Sequence, residues 1–166
     1  DYVVGVKARM TEGVTANDLT VIRRAQEVAS YFNMPLMIHM GQSASSMADL
    51  AAELKPGDVV THMYAPPPNA IIDENGKILP EILEARRRGI LFDVANGRVD
   101  HLRWDTFDAI MAEGFWPDTI STDGFSTSRS APGVRNYPNI MSKFLNFGMP
   151  LNSVVAASTW NPSRVF

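Results

Sequence analysis

Four residues stand out for the chemistry their types allow and for where they fall. Lys7 in Val-Gly-Val-Lys-Ala-Arg, His39 in Leu-Met-Ile-His-Met-Gly, His62 in Val-Val-Thr-His-Met-Tyr and Asp123 in Ile-Ser-Thr-Asp-Gly each lie at or near the C-terminal end of a short apolar run. Imidazoles, a carboxylate and an amine are groups that bind divalent metals or move protons. A further run offers Asp93 and Asn96 at the equivalent place. A lone histidine ending a strand is ordinarily a hydrogen-bonded core residue. Two at matched positions leave both readings open, and Asp123 at a third tips the balance toward a site. A buried lysine is rarer, because burying an unpaired ammonium is costly and lowers its pKa. The alternative for Lys7 is an ion pair with Asp93 or Asp123.

The elements that must position these groups are five near-continuous apolar runs, at residues 2–7, 35–40, 59–63, 90–94 and 119–122. Such runs read as strands covered on both faces. Between them lie helical patterns. The segment 15–32 is capped by Thr15 or Asn17 and carries Leu19, Ile22, Ala25, Val28 and Ala29 on one face. Segments 43–54, 79–88, with Pro80 in its first turn, and 103–113 follow. Helical segments at 137–147 and 151–157 close the chain. The strand starts recur every 24–33 residues, the length of a βα unit, and strand–helix alternation calls for a parallel sheet with right-handed crossovers. In such folds function gathers at the C-terminal ends of the strands.

Composition narrows the function classes. The chain has 166 residues, 45% hydrophobic and 20% charged, with a net charge of -3 and no cysteine. No basic stripe invites nucleic acid, and no apolar run has the length of a membrane span. Without cysteine, a metal would take nitrogen and oxygen ligands, with zinc the leading ion. A cytoplasmic location is expected. Arg86, Arg87 and Arg88 read as the cationic end of a helix. His101 reads as a loop residue behind an Asp100 cap. Trp104, Trp116 and Trp160 read as packing, and Met34, Met37, Met40 and Met63 as core filling. The segments 65–76 and 124–133 read as loops, the first too stiff and polar for core structure.

The stretches Val4-Gly5-Val6-Lys7-Ala8-Arg9, Pro35-Leu36-Met37-Ile38-His39-Met40-Gly41, Gly57-Asp58-Val59-Val60-Thr61-His62, Ile120-Ser121-Thr122-Asp123 and Thr159-Trp160-Asn161-Pro162, in this order and spacing, resemble the amidohydrolase superfamily. Its dihydroorotase-like and N-acyl deacetylase-like members are the nearest in pattern. The resemblance implies an α/β fold: a partial TIM-type (β/α) barrel of about five βα units, strands four to eight of a metal-dependent hydrolase, with residues 1–166 as a single incomplete domain. It implies that Lys7, once carboxylated, bridges two divalent metals, usually zinc. It implies that His39 and His62 are ligands and that Asp123 is both ligand and general base. The His-x-His pair of the family's first strand does not occur in this sequence. Where the family often carries a histidine after strand seven, this chain has Asn96, which can donate a hydrogen bond but does not titrate near neutrality.

The expected activity is hydrolysis of a non-peptide amide or an ester of a small-molecule substrate by metal-activated hydroxide, with one or two ions. Arg9, on the strand face of Lys7, would hold a substrate carboxylate, its alternative being an ion pair with Glu12 or a nearby loop. Tyr64 and the loop through Pro66–Asn69 would form the rim, and Asn96 would meet the substrate. Two other readings stay open. One is a non-catalytic half-barrel that oligomerises and binds at most one metal. The other is a Schiff-base enzyme using Lys7. The sequence opens at Asp1 directly into a strand-like run, as a piece of a longer protein would. Five βα units cannot close an eight-stranded barrel, which takes about 250 residues. Open apolar edges, and hence a homo-oligomer, are expected.

Overall fold

Pro35 has no N–H to give a sheet, so pairing between the first two strands starts just after it. Val6 N donates to Pro35 O at 3.0 Å, and the register then runs from Val6 opposite Leu36 to Met10 opposite Met40. The first strand is therefore β1, Val6–Met10, rather than the expected 2–7. Tyr2, Val3 and Val4 lie exposed ahead of it. Gly5 suits the join, because a Cβ there would stand a tight 3.1 Å from Pro35 O.

The computed structural model describes residues 2–11, 13, 17–96, 101–126, 128–130 and 134–166. After β1 come α1 (Asp18–Tyr31), β2 (Leu36–Met40), α2 (Met47–Ala52), β3 (Val59–Thr61), α3 (Pro80–Arg87), β4 (Leu91–Asp93) and α4 (Trp104–Ala112). A 3-10 turn (Ser128–Ser130), α5 (Tyr137–Asn146), α6 (Leu151–Ser158) and α7 (Trp160–Val165) follow. All four strands are parallel, in the order β1-β2-β3-β4. The expected fifth strand is present as an extended run along β4, with one parallel bridge, Asp93 to Thr119. Val94 N donates to Thr119 O and Asn96 N to Ser121 O, which carries the pairing past that bridge.

Alternation sorts the strand residues. Ala8, Met10, Ile38, Met40, Val60 and Phe92 enter an apolar core with Ile22, Ala29, Leu50, Ile82 and Ala85 of the helices. Arg9, His39, Thr61 and Asp93 align in one row across the sheet on the opposite face. Lys7 sits one row below, opposite Met37. β1 exposes this face, so Lys7 and Arg9 are both exposed rather than buried.

The helices begin where their caps dictate. Asn17 accepts from Thr20 N at 2.9 Å and starts α1; Thr15, the other cap considered, lies outside the described residues. The buried stripe of α1 is Asp18, Ile22, Gln26 and Ala29, while Val28 is exposed, a shift of the apolar face from expectation. Gln26 is buried because its amide donates to Asp58. Ser46 rather than Ser43 caps α2, since Ser43 Oγ donates to Met10 O and Ser43 N to Asn69 Oδ1. Arg86 and Arg88 tie α3 to its neighbours, Arg86 through Asp118 and Trp116 O and Arg88 through Leu54 O and Ala51 O.

Part of the segment 65–76 is core after all: Asn69, Ala70 and Ile71 are buried, and Ile72 bridges Ile78. Trp160 is 61% exposed rather than packed, at the head of α7, a helix the pattern did not announce. Asp100 and part of 124–133 fall outside the described residues. No helix among the described residues is long and apolar enough to cross a membrane.

Candidate active site

Parallel strands bring their C-terminal ends to one side, and there each chain turn is forced. Gln42, His62, Ala95 and Asp123, the residues at the ends of β2, β3, β4 and the 119–122 run, all have positive φ, at 57°, 65°, 41° and 45°. Non-glycine residues in this region cost about 1 kcal/mol or more each and gather at functional sites. For His62 the consequence is direct. Thr61 already faces the row of His39, so regular alternation would send His62 to the helix side. The left-handed turn sends it toward His39 instead, and His62 Nε2 lies 2.9 Å from His39 Nδ1.

The other nitrogen of His62, Nδ1, is 2.9 Å from Ala95 O. A carbonyl oxygen only accepts, so Nδ1 carries the proton and Nε2 presents a lone pair toward His39. Both rings are neutral at pH 7. Burial is the main cause in each case. It brings His39 down to about 4, helped by Arg9, His101 and Lys7, and His62 down to about 2, helped by His101 and His39.

His101 is the residue that sequence reasoning missed. It is 7% exposed, and its ring centroid is 3.8 Å from that of His62 and 5.4 Å from that of His39. The ligand nitrogens of His39, His62 and His101 lie within 4.8 Å of one another. Asp123 joins them: its Oδ2 is 3.1 Å from His101 Nδ1. The signal was available, because the loop from β4 to α4 opens at the C-terminal end of β4, on the same side as His39 and His62. A divalent ion fits this donor set. Nitrogen ligands at 2.0–2.1 Å in tetrahedral array stand about 3.3 Å apart, so His39 and His62 need to open by only a few tenths of an ångström.

The remaining predicted residues divide. Arg9 lines a cavity of about 190 Å³ with Thr11, His39, Gln42, His101 and the Pro66–Pro68 run, beside the imidazoles. Tyr64 does not form the rim. It is fully buried, packed against Phe107 and Phe144, with its hydroxyl 3.5 Å from Met111 Sδ, and burial pushes its phenol far up. The chain turns over after His62, and the side chain of Tyr64 enters the helix layer. Asn96 is buried too. Its Oδ1 accepts from Lys143 Nζ, an amine that burial lowers to about 8. Asp93 is held by the hydroxyls of Thr61, Thr119 and Ser121 rather than by Lys7. A larger cavity, about 410 Å³, lies at the opposite ends of the strands. Its acid, Asp58, is already committed to Gln26, Leu36 N and Lys55 N.

The imidazoles set an acid limit on the metal-free chain. Both fold neutral, with pKa values below the ordinary 6.5 of the unfolded chain. Their contribution is whole above about pH 6.5. It is lost as pH falls toward 4, because the unfolded chain takes up protons that the folded one refuses. Two such groups give a slope of up to about 2.7 kcal/mol per pH unit near pH 5. Urea unfolding at pH 7 and pH 5 measures it, and a flat profile in the metal-stripped chain would refute it.

Known proteins resemble the chain over its whole length. No protein-family model matches it. A deacetylase of Agrobacterium fabrum is 30% identical over 166 residues, covering 99% of this chain and 40% of its own length. A deacetylase of Enterococcus faecalis is 28% identical over 169 residues, covering 100% of this chain and 46% of itself. Among solved structures, an adenine deaminase superposes with a TM-score of 0.92 at 28% identity, over 100% of this chain and 46% of its own. The chain is similar, over its whole length, to part of an amidohydrolase-type barrel. A dihydroorotase structure agrees, with a TM-score of 0.85 at 31% identity over 98% of this chain and 42% of its own. The barrel segment thus spans less than half the length of these relatives. Its βα units are those of a partial TIM-type barrel, as the resemblance implies.

Proposed function

We propose that this chain supplies part of the metal centre of a hydrolase that cleaves a carbon–nitrogen bond, a non-peptide amide in the first instance, or an ester. The observation that carries the reading is the convergence of neutral His39 and His62, with a nitrogen pair at 2.9 Å, beside Asp123 at the C-terminal ends of the strands. The relatives named deacetylase, adenine deaminase and dihydroorotase support it, since each name denotes hydrolysis at such a bond.

His39 and His62 would hold the ion, zinc by the chemistry of its donors. A bound divalent ion supplies a hydroxide at neutral pH and polarises the scissile carbonyl. Asp123 takes the proton of the attacking water and delivers it to the leaving amine. Arg9, in the row of His39 and on the cavity wall, anchors a small substrate through a carboxylate. Asn96 offers its amide N–H groups, while its oxygen accepts from Lys143. Lys7 is exposed one row below, where carbon dioxide can reach its amine to make the bridging carbamate. That exposure weighs against the Schiff-base reading, which wants a buried amine. The exposed Tyr2, Val3, Val4 and Phe166 are apolar surface through which copies of the chain would associate.

Exposure of Lys7 also favours a second reading, a half-barrel that binds one ion without turnover. One experiment separates the two. The purified protein is stripped with a chelator and reloaded with zinc. It is then assayed for acetate release from N-acetylated amines, ammonia release from adenine and ring opening of dihydroorotate. Turnover of one class that disappears with the chelator and returns with zinc is expected. Turnover indifferent to the chelator refutes the metal mechanism. Stoichiometric zinc binding with no turnover in any arm establishes the second reading.

A further inference from the structure

We infer that His101 is a third imidazole ligand, so that His39, His62 and His101 form one three-nitrogen site with Asp123 holding His101 from behind. The inference rests on the reading above, that His39 and His62 bind a metal, and it changes the ligand set which the resemblance implies.

Three observations carry it. The ligand nitrogens of the three rings lie within 4.8 Å of one another, a span that a single ion can close by small ring rotations. All three residues are buried, at 7%, 1% and 7% exposure, and the three imidazoles gather at centroid distances of 3.8–5.4 Å, His39 edge-on to the other two. The orienting partners then fall into a pattern. Ala95 O fixes Nδ1 of His62, and Asp123 Oδ2 stands 3.1 Å from Nδ1 of His101. A ring held through one nitrogen by a carbonyl or carboxylate presents the other to a metal, and this support raises its basicity as a ligand. His62 and His101 would thus both coordinate through Nε2, and His39 through Nδ1.

Three imidazoles leave one tetrahedral position open, the arrangement of a catalytic rather than a structural site. The cavity bounded by Arg9, Gln42 and the Pro66–Pro68 run, which His39 and His101 also line, stands beside that position. Asp123 has two carboxylate oxygens. Contact of Oδ2 with His101 leaves Oδ1 for the proton of the attacking water, so its part as base is compatible with its part as support.

The test is X-ray absorption fine structure of the chain loaded with one equivalent of zinc, together with cobalt(II) titration followed by its visible spectrum. Wild type is expected to show three imidazoles, and His101→Gln two, with cobalt affinity lowered at least about tenfold. His101→Asn provides a second variant of different size, and circular dichroism checks the fold of both. Two imidazoles in wild type would overturn the inference without any variant being needed. Unchanged cobalt affinity in a folded His101→Gln or His101→Asn would do the same. His39→Ala separates the two levels: if it binds cobalt as tightly as wild type, the metal reading of the whole site fails. If it alone loses binding, that reading stands and only the place of His101 falls.

Discussion

Asp123→Asn is expected to lower kcat by about 10²–10⁴-fold, or roughly 3–5 kcal/mol of transition-state stabilisation, on whichever carbon–nitrogen substrate the zinc-loaded protein turns over. The substitution removes the proton acceptor and leaves the shape. An amide of the same shape keeps the 3.1 Å contact beside His101 Nδ1, so zinc content and KM should hold within a few fold while kcat falls. Asp123→Ala removes the support of His101 as well and should lose metal affinity in addition to rate. The contrast between the two variants separates the base from the prop, by kinetics for one and by metal titration for both. An Asn variant that keeps wild-type kcat would mean that Asp123 moves no proton in the reaction.

Much of this arrangement is legible in the residue order. Apolar runs that end in Lys, His, His and Asp, alternating with helical segments, require parallel strands with their polar ends on one side, and the sheet follows that order strand by strand. The position of β1 is not legible, because it depends on its partner. Pro35 ends the ladder of β2, and the register then shifts β1 onto Val6–Met10. That shift places Arg9, not Lys7, in the row of His39, and it is the reason Lys7 ends up one row lower.

The site itself divides along the same line between what is periodic and what is a turn. His39 is placed by strand alternation, so pattern finds it. His62 and Asp123 are found by their place at run ends, but the left-handed turns that aim them, like the one at Ala95, are not, because no sequence period encodes φ for a histidine, an alanine or an aspartate. The same turn after His62 carries Tyr64 into the helix layer against Phe107, where a reading of the loop as substrate rim could not follow it. His101 fails for a related reason. The sequence draws attention to Asn96 as a missing histidine, but an imidazole five residues further on joins the site; no periodicity announces it, and its place after the C-terminal end of β4 is the one signal it carries.

The other large effect is expected at Asp93, which is not a ligand. Asp93→Ala should cost about 3–5 kcal/mol in urea unfolding, a large share of the roughly 5–15 kcal/mol that holds a domain together. The carboxylate is 3% exposed, and each of its contacts spans elements. Oδ2 accepts from Thr61 Oγ1 of β3 and from Ser121 Oγ, and Oδ1 accepts from Thr119 Oγ1, all at 2.7 Å. Alanine would strand the buried hydroxyls of Thr61 and Thr119 and the half-buried one of Ser121, and leaving buried donors unmet costs more than the bonds contribute. Asp93→Asn should be much milder, about 1–2 kcal/mol. Burial raises the pKa of Asp93 against the pull of the three hydroxyls, so a neutral amide of the same shape is tolerable there. The effect should reach the imidazoles as well. Ser121 Oγ also accepts from Ala95 N at 3.2 Å, and Ala95 O fixes the ring of His62. A folded Asp93→Asn protein is therefore expected to bind cobalt more weakly than wild type although Asp93 touches no metal. Wild-type affinity in that variant would show that the chain Asp93–Ser121–Ala95–His62 carries no load. An Asp93→Ala protein as stable as wild type would show that the carboxylate is not what ties β3, β4 and the 119–122 run together.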